Sequence, residues 1–195
     1  MNAGIPQSLR AAALTAASTD PSTDSSTDPS ARDAEPADLS FQRIDHIALA
    51  VRDLEDGIRL FRDVLGFELK QRRHIKGART GMVSAEMEMN GIRFVLCQGT
   101  EPESQVSKLV EHHGVGIAHV AMEVRDVSAA VDSLKARGLG FDTNVIEGGG
   151  LTQAFSSRCA NTGMSFELIR RNGEAGFVED NVQDLFDQLE QSGKY

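Results

Sequence analysis

Two stretches of the chain, IDHIALAVRD at residues 44–53 and IAHVAMEVRD at residues 117–126, decide the fold. A shift of 73 positions superimposes them, and six of their ten positions are then identical. Each stretch starts as an apolar run rich in β-branched residues, which predicts a strand. Each ends in an aspartate that can cap a following helix. Because a repeated supersecondary unit usually means that two units share one core, the sequence predicts two tandem modules.

The residues after each aspartate have the apolar spacing of a helix that buries one face. These apolar positions are Leu54, Ile58, Phe61 and Leu65 in the first module and Val127, Ala130, Val131 and Leu134 in the second. Gly66 and Gly138 are placed to end the helices. Three strand-like stretches follow each helix, at about 67–73, 80–89 and 92–97, and again at about 140–146, 151–157 and 164–170. The pattern therefore predicts an α+β fold of two βαβββ modules, at about 41–98 and 114–172.

The two ends of the chain differ from the modules. Residues 1–40 are rich in Ser, Thr, Asp and Pro, with the near-repeat STDPSTDSSTDPS, and hold few large apolar side chains. Such a segment cannot bury enough apolar surface to offset its ordering entropy, so we expect a disordered tail, with a docking or phosphorylated segment as the alternative. At the other end, Val182, Leu185, Phe186 and Leu189 have helical spacing, which predicts a C-terminal helix at about 181–191 over the domain 41–195.

Composition excludes several classes of function. The formal net charge of the 195 residues is −9, and no basic face is evident, so nucleic acid and anionic membranes are poor partners. No apolar run reaches the roughly 18 residues of a membrane-spanning helix, and no secretory signal is evident. Only Cys97 and Cys159 are present, which suggests no disulfide framework and favours a cytoplasmic setting.

His46 and His119 are equivalent by the repeat, and each is third in its apolar strand. A histidine inside such a strand is costly unless its nitrogens find partners, so a matched pair suggests a common centre between the modules. A pair of hydrogen-bonded core histidines is the simpler alternative. The final strands also match, with NGIRFVL at residues 90–96 over TGMSFEL at residues 162–168. Glu167 lies there between two apolar residues, where a lone carboxylate would be expensive to bury.

The first-module counterpart of Glu167 is Val95, which cannot bind a metal. Two histidines and one carboxylate leave about half of an octahedral metal open, as in the facial triad of non-haem Fe(II) oxygenases. The residues therefore predict a metal centre of His46, His119 and Glu167. Zinc and other divalent ions remain open on this ground alone.

These residues lie in stretches that resemble a known superfamily. The paired modules and the opening IDHIALAVRDLEDGIRLFRDVLGFEL are similar to the vicinal-oxygen-chelate proteins, which include glyoxalase I, methylmalonyl-CoA epimerase, extradiol dioxygenases and fosfomycin-resistance proteins. The later stretches resemble the catalytic C-terminal half of the 4-hydroxyphenylpyruvate dioxygenase family, and they are ESQVSKLVEHHGVGIAHVAM, GGGLTQAFSS, SFELIRRNGEAGF and EDNVQDLFDQLEQ. The resemblance implies a curved mixed sheet around the metal, with a C-terminal helix that gates the site.

The resemblance also implies a chemistry. In the dioxygenase family three iron ligands match His46, His119 and Glu167, the substrate is a 2-oxo acid that chelates Fe(II), and O₂ is consumed as the acid is decarboxylated. No catalytic residue apart from the metal ligands is implied. Family pocket residues match Ser84, Gln105, Gln153, Phe155 and Phe177. Because dimers are common in the superfamily, a homodimer is a possible assembly.

Three positions depart from the dioxygenase pattern. A substrate-sandwiching phenylalanine is replaced by Val182, a pocket glutamine by Ala118 and a pocket asparagine by Cys97. Losing one ring face and two amides disfavours a hydroxyphenyl substrate, so we expect a different 2-oxo acid, aliphatic or smaller.

Two other functions share the fold. One is a metal-dependent isomerase, epimerase or lyase, in which each final strand commonly supplies a ligand. Val95 argues against it unless Gln98 or solvent fills the fourth place. The other is a non-catalytic resistance protein that sequesters a small molecule. Fold alone cannot choose among these functions.

Overall fold

The computed structural model describes residues 39–148, 150–173, 183 and 186–188. Most of the predicted tail, all but residues 39 and 40, lies outside the described residues. So do the predicted pocket residues Phe177 and Val182. Gln183 and residues 186–188 are helical, as the apolar spacing of this segment predicts.

Eight strands and three α-helices make up the described chain. The strands are β1 Phe41–Ala50, β2 Glu68–Lys76, β3 Gly81–Met89, β4 Ile92–Gly99, β5 Gly116–Val124, β6 Ile146–Gly148, β7 Leu151–Phe155 and β8 Ser165–Arg171. The helices are α1 Leu54–Arg59, α2 Gln105–His113 and α3 Val127–Ala136, and α1 continues as a π-helical turn, Leu60–Val64.

All eight strands form one sheet in the order β2-β3-β4-β1-β5-β8-β7-β6. The first strand of each module lies at the centre and pairs in parallel with the last strand of its own module, β1 with β4 and β5 with β8. The two central strands pair with each other in antiparallel register. The predicted repeat is therefore confirmed as two equivalent halves of a curved, mixed half-barrel sheet.

The helix ends follow the chemistry that the sequence predicts. The side chain of Asp53 accepts a hydrogen bond from the backbone N–H of Asp56 at 2.8 Å, and Asp126 accepts from Ala129 at 2.9 Å. These contacts satisfy backbone donors that the first helical turn leaves open. Gly138 adopts a φ of 92° after α3, a left-handed conformation that favours glycine.

The apolar core lies on one face of the sheet. In the first module, Leu54 and Ile58 of α1 pack with Met87 and Leu96 of the sheet, and in the second α3 packs in the same way over β7 and β8. Burying a side chain of this size stabilises the fold by roughly 1.5–3 kcal/mol relative to leaving it exposed. Because strand residues alternate between faces, the residues between these apolar positions point to the opposite, concave face.

One expectation about local structure is wrong, and one helix was not predicted. The stretch at 140–146 is not a continuous strand, because only a single bridge joins Phe141 to Ser156 before β6 begins. The hydroxyl of Thr143 instead accepts a hydrogen bond from the N–H of Phe155, which replaces ladder pairing at this point. The sequence pattern also did not predict helix α2, although the residues of this helix lie in one of the stretches that resemble the dioxygenases.

No helix within the described residues is both long enough and apolar enough to cross a membrane.

Candidate metal centre

A β-bulge in β1 prepares the site. The register between β1 and β5 shifts between Ile44 and His46, so Asp45 is the extra residue. A bulge of this kind lets two consecutive side chains turn to the same face of a sheet. Asp45 and His46 are accordingly both buried, with 6% and 2% of their surface exposed. The bulge thus places a carboxylate beside the first histidine of the predicted centre.

His46, His119 and Glu167 come together as the repeat predicts. Nε2 of His46 lies 3.3 Å from Nε2 of His119 and 3.2 Å from Oε2 of Glu167, and 3.3 Å separates His119 from Glu167. Ligands about 2.1 Å from one ion stand about 3.0 Å apart at octahedral angles and about 3.4 Å apart at tetrahedral angles. The three atoms therefore form a triangle of the size that one divalent ion can cap. Among the described residues, this is the only group of at least three His, Cys, Asp or Glu side chains close enough to hold an ion.

Glu167 is the strongest sign that this triangle suits a cation. Its side chain is 1% exposed, and its second oxygen, Oε1, is buried without a hydrogen-bond partner among the described residues. A buried carboxylate is costly unless charges or donors compensate it. A divalent ion would compensate this charge, so the residues present fit a metal centre.

A hydrogen bond at Nδ1, on the side of the ring away from the other two candidate ligands, holds His46 in place. Its Nδ1–H donates to Oδ1 of Asp45 at 2.9 Å, which leaves Nε2 facing the other two ligands. Asp45 in turn accepts two hydrogen bonds of 2.7 Å from the guanidinium of Arg171. Such carboxylate–histidine contacts fix the tautomer and orientation of a metal-binding ring. Since Asp45 belongs to the first module and Arg171 to the second, this chain of contacts also ties the modules together.

The charges of the site shift its pKa values strongly. Burial lowers the pKa of His46, but the negative charges of Glu167 and Asp45 outweigh it and raise the pKa to about 9. Burial raises the pKa of Glu167, but the positive charge of His46 and hydrogen bonds from both histidines bring it down to about 2. The pKa of His119 is lowered, chiefly by burial. The three side chains therefore favour a positive charge between them, which either a proton on His46 or a metal ion can supply.

Two cavities meet at this centre. The smaller, about 60 Å³, is lined by all three predicted ligands together with Ser84, Gln153 and other residues of the concave face. The larger, about 140 Å³, is lined by apolar side chains that include Val106, Leu109 and Phe186, and by the polar residues Gln105, Asp142, Ser156, Arg158 and Ser165. Met82, Cys97, His119 and Phe155 line both cavities. A ligand at the metal could therefore extend its tail beneath α2 and the helical residue Phe186.

The structure brings the predicted pocket residues to these cavities wherever it describes them. Phe155 packs its ring edge-on against His119, with ring centroids 5.0 Å apart. Gln105 donates to the backbone oxygen of Phe186 at 3.1 Å, which links α2 to the C-terminal segment. Cys97 is buried, and burial raises the pKa of its thiol to about 12, so it contributes a neutral surface. Ala118 also lines the larger cavity.

The fourth-ligand alternative finds no support in the position of Gln98. Its side-chain oxygen accepts a hydrogen bond of 2.7 Å from the backbone N–H of Leu54, at the start of α1. Gln98 is therefore engaged at the helix and is not among the residues that line the metal cavity. Val95 lines that cavity with an apolar side chain.

Several functional candidates were not predicted from the sequence. Asp45 holds His46, and Arg171 holds Asp45. Arg73 lines the smaller cavity and lies within ion-pairing distance of Glu86. Simple strand alternation would put Asp45 on the face opposite His46, so only the bulge reveals its role. Arg73 and Arg171 look like ordinary charged strand residues in the sequence, and only the burial of their side chains distinguishes them.

The sequence profile described as the Glyoxalase/Bleomycin resistance protein/Dioxygenase superfamily matches residues 45–155. This chain belongs to that superfamily.

The individual relatives fall into two groups: 4-hydroxyphenylpyruvate dioxygenases with a 4-hydroxymandelate synthase, and methylmalonyl-CoA epimerases. The 4-hydroxyphenylpyruvate dioxygenase of Pseudomonas aeruginosa is 28% identical to this chain, and the match covers 82% of this chain and 55% of that enzyme. A mutant of 4-hydroxymandelate synthase from Streptomyces coelicolor shares the fold, with a TM-score of 0.68 at 23% identity over 76% of this chain and 53% of that chain. Methylmalonyl-CoA epimerase from Streptomyces coelicolor gives a TM-score of 0.58 at 26% identity over 67% of this chain and 97% of that chain. This chain spans about half the length of the curated relatives it matches.

Proposed function

We propose that this chain is a non-haem Fe(II)-dependent dioxygenase that oxidatively decarboxylates a 2-oxo acid with O₂. The triangle of His46, His119 and Glu167 is the observation that carries the proposal. Two imidazoles and one carboxylate on one face of an ion are the ligand set of the Fe(II) oxygenases, which leaves the other face for substrate and O₂. The similarity to 4-hydroxyphenylpyruvate dioxygenase over most of this chain supports the same reading.

The residues of the chain have distinct tasks in this proposal. Bound Fe(II) would supply the redox chemistry that reaction with O₂ requires. His46, His119 and Glu167 hold the ion on one side only, and Asp45 keeps the His46 ring oriented toward it. Phe155 and Cys97 are buried and line both cavities, and in this proposal they keep water from the ion. Exclusion of water protects reactive species from side reactions.

The larger cavity favours an apolar tail on the substrate. Val106, Leu109 and Phe186 line it beside polar residues such as Gln105 and Arg158, and Ala118 and Cys97 lack the amide donors that the dioxygenase pattern has at these positions. A site without those donors gives a hydroxyphenyl group little discrimination over an aliphatic one. We therefore propose an aliphatic 2-oxo acid as the preferred substrate.

A metal-dependent epimerase or isomerase is the second candidate, because methylmalonyl-CoA epimerase is similar over 67% of this chain. The apolar side chain of Val95 in the metal cavity weighs against it, since that position supplies no fourth ligand. A non-catalytic binding protein is a third candidate. Such a protein does not need a metal ion whose open coordination positions face a cavity.

Oxygen consumption tests the proposal. The protein is loaded anaerobically with Fe(II), and 4-hydroxyphenylpyruvate, phenylpyruvate, 3-methyl-2-oxobutanoate and 4-methyl-2-oxopentanoate are added in separate reactions with O₂. We expect O₂ uptake matched by CO₂ release, fastest with an aliphatic acid. The Glu167→Gln variant serves as the inactive control. Absence of uptake with every acid, together with proton exchange or isomerisation in the Zn²⁺- or Co²⁺-loaded protein, would contradict the proposal and favour the second candidate.

A further inference from the structure

Arg158 brings a charged residue to the larger cavity. It lies between β7 and β8, is half-buried, and lines this cavity together with Val106 and Leu109 of α2. Arg158 and Leu109 also line a neighbouring cavity of about 360 Å³, beside the loop that joins α2 to β5. Arginine is seldom buried without a specific partner, so its place at the boundary of two cavities needs a physical reason.

Two hydrogen bonds hold the Arg158 guanidinium close to the candidate metal centre. Nη2 donates to the backbone oxygen of Ala118 at 2.9 Å, and Nη1 donates to the backbone oxygen of Gly163. Ala118 directly precedes His119 on β5, so the positive charge lies beside the strand that carries this candidate ligand. The pKa of His119 is lowered chiefly by burial, and the charge of Arg158 contributes to the shift. The guanidinium is therefore fixed near the centre but outside its ligand set.

Arg158 pairs with no carboxylate among the residues that the structure describes. Its two hydrogen bonds end on neutral backbone oxygens and use two of the five N–H groups that an arginine carries. Asp142 lines the same cavity, where its Oδ1 accepts a hydrogen bond of 2.5 Å from the Ser157 hydroxyl, and it acts on Arg158 as a more distant charge. Burial lowers the pKa of Arg158, and the opposing effect of Asp142 is smaller. The charge is only partly compensated, so an anion in the cavity would be stabilised.

We propose that Arg158 binds a second carboxylate at the far end of the substrate, which is then a 2-oxo dicarboxylic acid. This inference rests on the proposed function and narrows the aliphatic 2-oxo acid to one with a charged tail. The reacting end lies in the smaller cavity with the three candidate ligands, and the tail passes Phe155 into the larger cavity. The methylene groups contact Val106 and Leu109, and the terminal carboxylate accepts from the remaining N–H groups of Arg158. Because hydrogen bonds between two charged groups are about twice as strong as neutral ones, this contact selects a diacid over a monoacid of the same shape.

Anaerobic calorimetry with paired ligands tests this selection without turnover. The Fe(II)-loaded protein is titrated with 2-oxoglutarate and, separately, with 5-methyl-2-oxohexanoate, in which an isopropyl group replaces the second carboxylate. The acids 2-oxoadipate and 6-methyl-2-oxoheptanoate form a second pair, with a tail one methylene longer. We expect the wild-type protein to bind at least one diacid at least about tenfold more tightly than its matched monoacid. Monoacids that bind as tightly as the diacids in both pairs would overturn the inference.

The Arg158→Gln variant should remove the preference for the diacid. Glutamine keeps an N–H₂ group that can donate to a backbone oxygen, but it carries no charge. We expect the affinity for the preferred diacid to fall at least about tenfold and that for its matched monoacid to fall less than about threefold. Arg170→Gln, at an exposed position of β8 outside the linings of the three cavities, removes the same charge and should change neither affinity. Equal losses for both ligands in Arg158→Gln would mean a purely structural role and overturn the inference.

The Asp142→Asn variant tests the same charge from the opposite direction. Asparagine keeps an oxygen for the Ser157 hydroxyl but removes the negative charge that acts on Arg158, so the diacid should bind several-fold more tightly and the monoacid as before. Asp132→Asn, at an exposed position of α3, is the control and should change neither affinity. This variant decides the matter if Arg158→Gln fails to fold in a thermal unfolding assay, and no gain for the diacid would then overturn the inference. If the wild-type protein binds iron but no 2-oxo acid of either kind, the proposed function itself fails and this inference fails with it.

Discussion

Asp45 is the residue on which the orientation of His46 depends. Its carboxylate is 1% exposed, accepts the Nδ1–H of His46 and is itself held by Arg171. Burial works against its charge, but the hydrogen bond and charge of Arg171 dominate and hold the pKa of Asp45 well below its usual range. The carboxylate therefore stays ionised at neutral pH and favours the tautomer with a free Nε2 lone pair.

The Asp45→Asn variant tests this arrangement. The amide keeps the shape of the carboxylate but turns an N–H₂ group toward either His46 or Arg171, so one contact is lost. We expect the affinity for Fe(II) or Zn²⁺ to fall 10- to 100-fold, as measured by competition with a chromophoric chelator. Asp63→Asn is the control, because Asp63 pairs with Arg62 at the surface. An affinity equal to that of the wild-type protein would show that Asp45 does not orient the ligand.

Metal uptake should depend on pH through His46. Its pKa is raised from 6.5 to about 9, so at neutral pH a metal must displace a proton from the imidazole. Because only the deprotonated ring binds the ion, the apparent affinity should rise with pH up to about 9 and then level off. Calorimetry in buffers of different ionisation enthalpy should detect about one proton released for each metal bound near pH 7. Metal affinity that is independent of pH between 6 and 8 would contradict this prediction.

At the scale of single residues, the sequence predicts the candidate metal ligands but not the residues that hold them in place. His46 and His119 could be predicted because the repeat aligns them, and Glu167 because a carboxylate stands between two apolar strand residues. The role of Asp45 depends on a bulge, which the local sequence does not signal. The burial of Arg73 could not be predicted, since nothing in the local sequence distinguishes it from an exposed strand arginine.

Among the elements, α2 and β5 contribute walls to the larger cavity. Leu109 of α2 and Ala118 of β5 line the larger cavity, and the small side chain of Ala118 leaves room there. The sequence pattern misses α2, although its residues have helical order in the structure. Because α2 is only nine residues long, has few apolar residues and buries only Leu109 fully, its sequence offers few of the apolar positions by which a helix is recognised.

The Ala118→Leu variant tests the role of this cavity in selectivity. The larger side chain would fill space that the proposed tail occupies, and overpacking of this kind commonly costs about 1–3 kcal/mol. We expect kcat/KM for 4-methyl-2-oxopentanoate to fall at least tenfold relative to that for 2-oxobutanoate. Ala136→Leu, at the exposed end of α3, is the control for the substitution itself. An unchanged ratio would mean that the tail lies elsewhere.

For the whole molecule, the proposed metal centre would join the two halves across the central strand pair. His46 comes from β1 of the first module, and His119 and Glu167 come from β5 and β8 of the second. The pairing of β1 with β5 and the contact between Asp45 and Arg171 cross the same boundary. The repeat in the sequence predicts this architecture, because two equivalent histidines can share one centre only if the first strands of the two modules lie side by side.

Metal binding should therefore stabilise the entire fold. An ion that binds the folded chain only, present at 100 times its dissociation constant, adds about 2.7 kcal/mol to the free energy of unfolding. We expect Zn²⁺ to raise the Tm of the wild-type protein by several degrees in a single cooperative transition. His119→Ala should show no such rise, whereas the His113→Ala control, altered at the exposed end of α2, should respond like the wild type. Stabilisation of the His119→Ala variant by the same increment would contradict a site that spans the modules.

Metal content after anaerobic reconstitution tests the central claim most directly. Wild-type protein and the His46→Ala, His119→Ala and Glu167→Ala variants are loaded with Fe(II), desalted under anaerobic conditions and analysed by elemental mass spectrometry. The account predicts about one iron per chain in the wild type and in the Glu88→Gln control, and almost none in each of the three ligand variants. Stoichiometric iron retained by all three ligand variants would contradict the assignment of the centre to His46, His119 and Glu167.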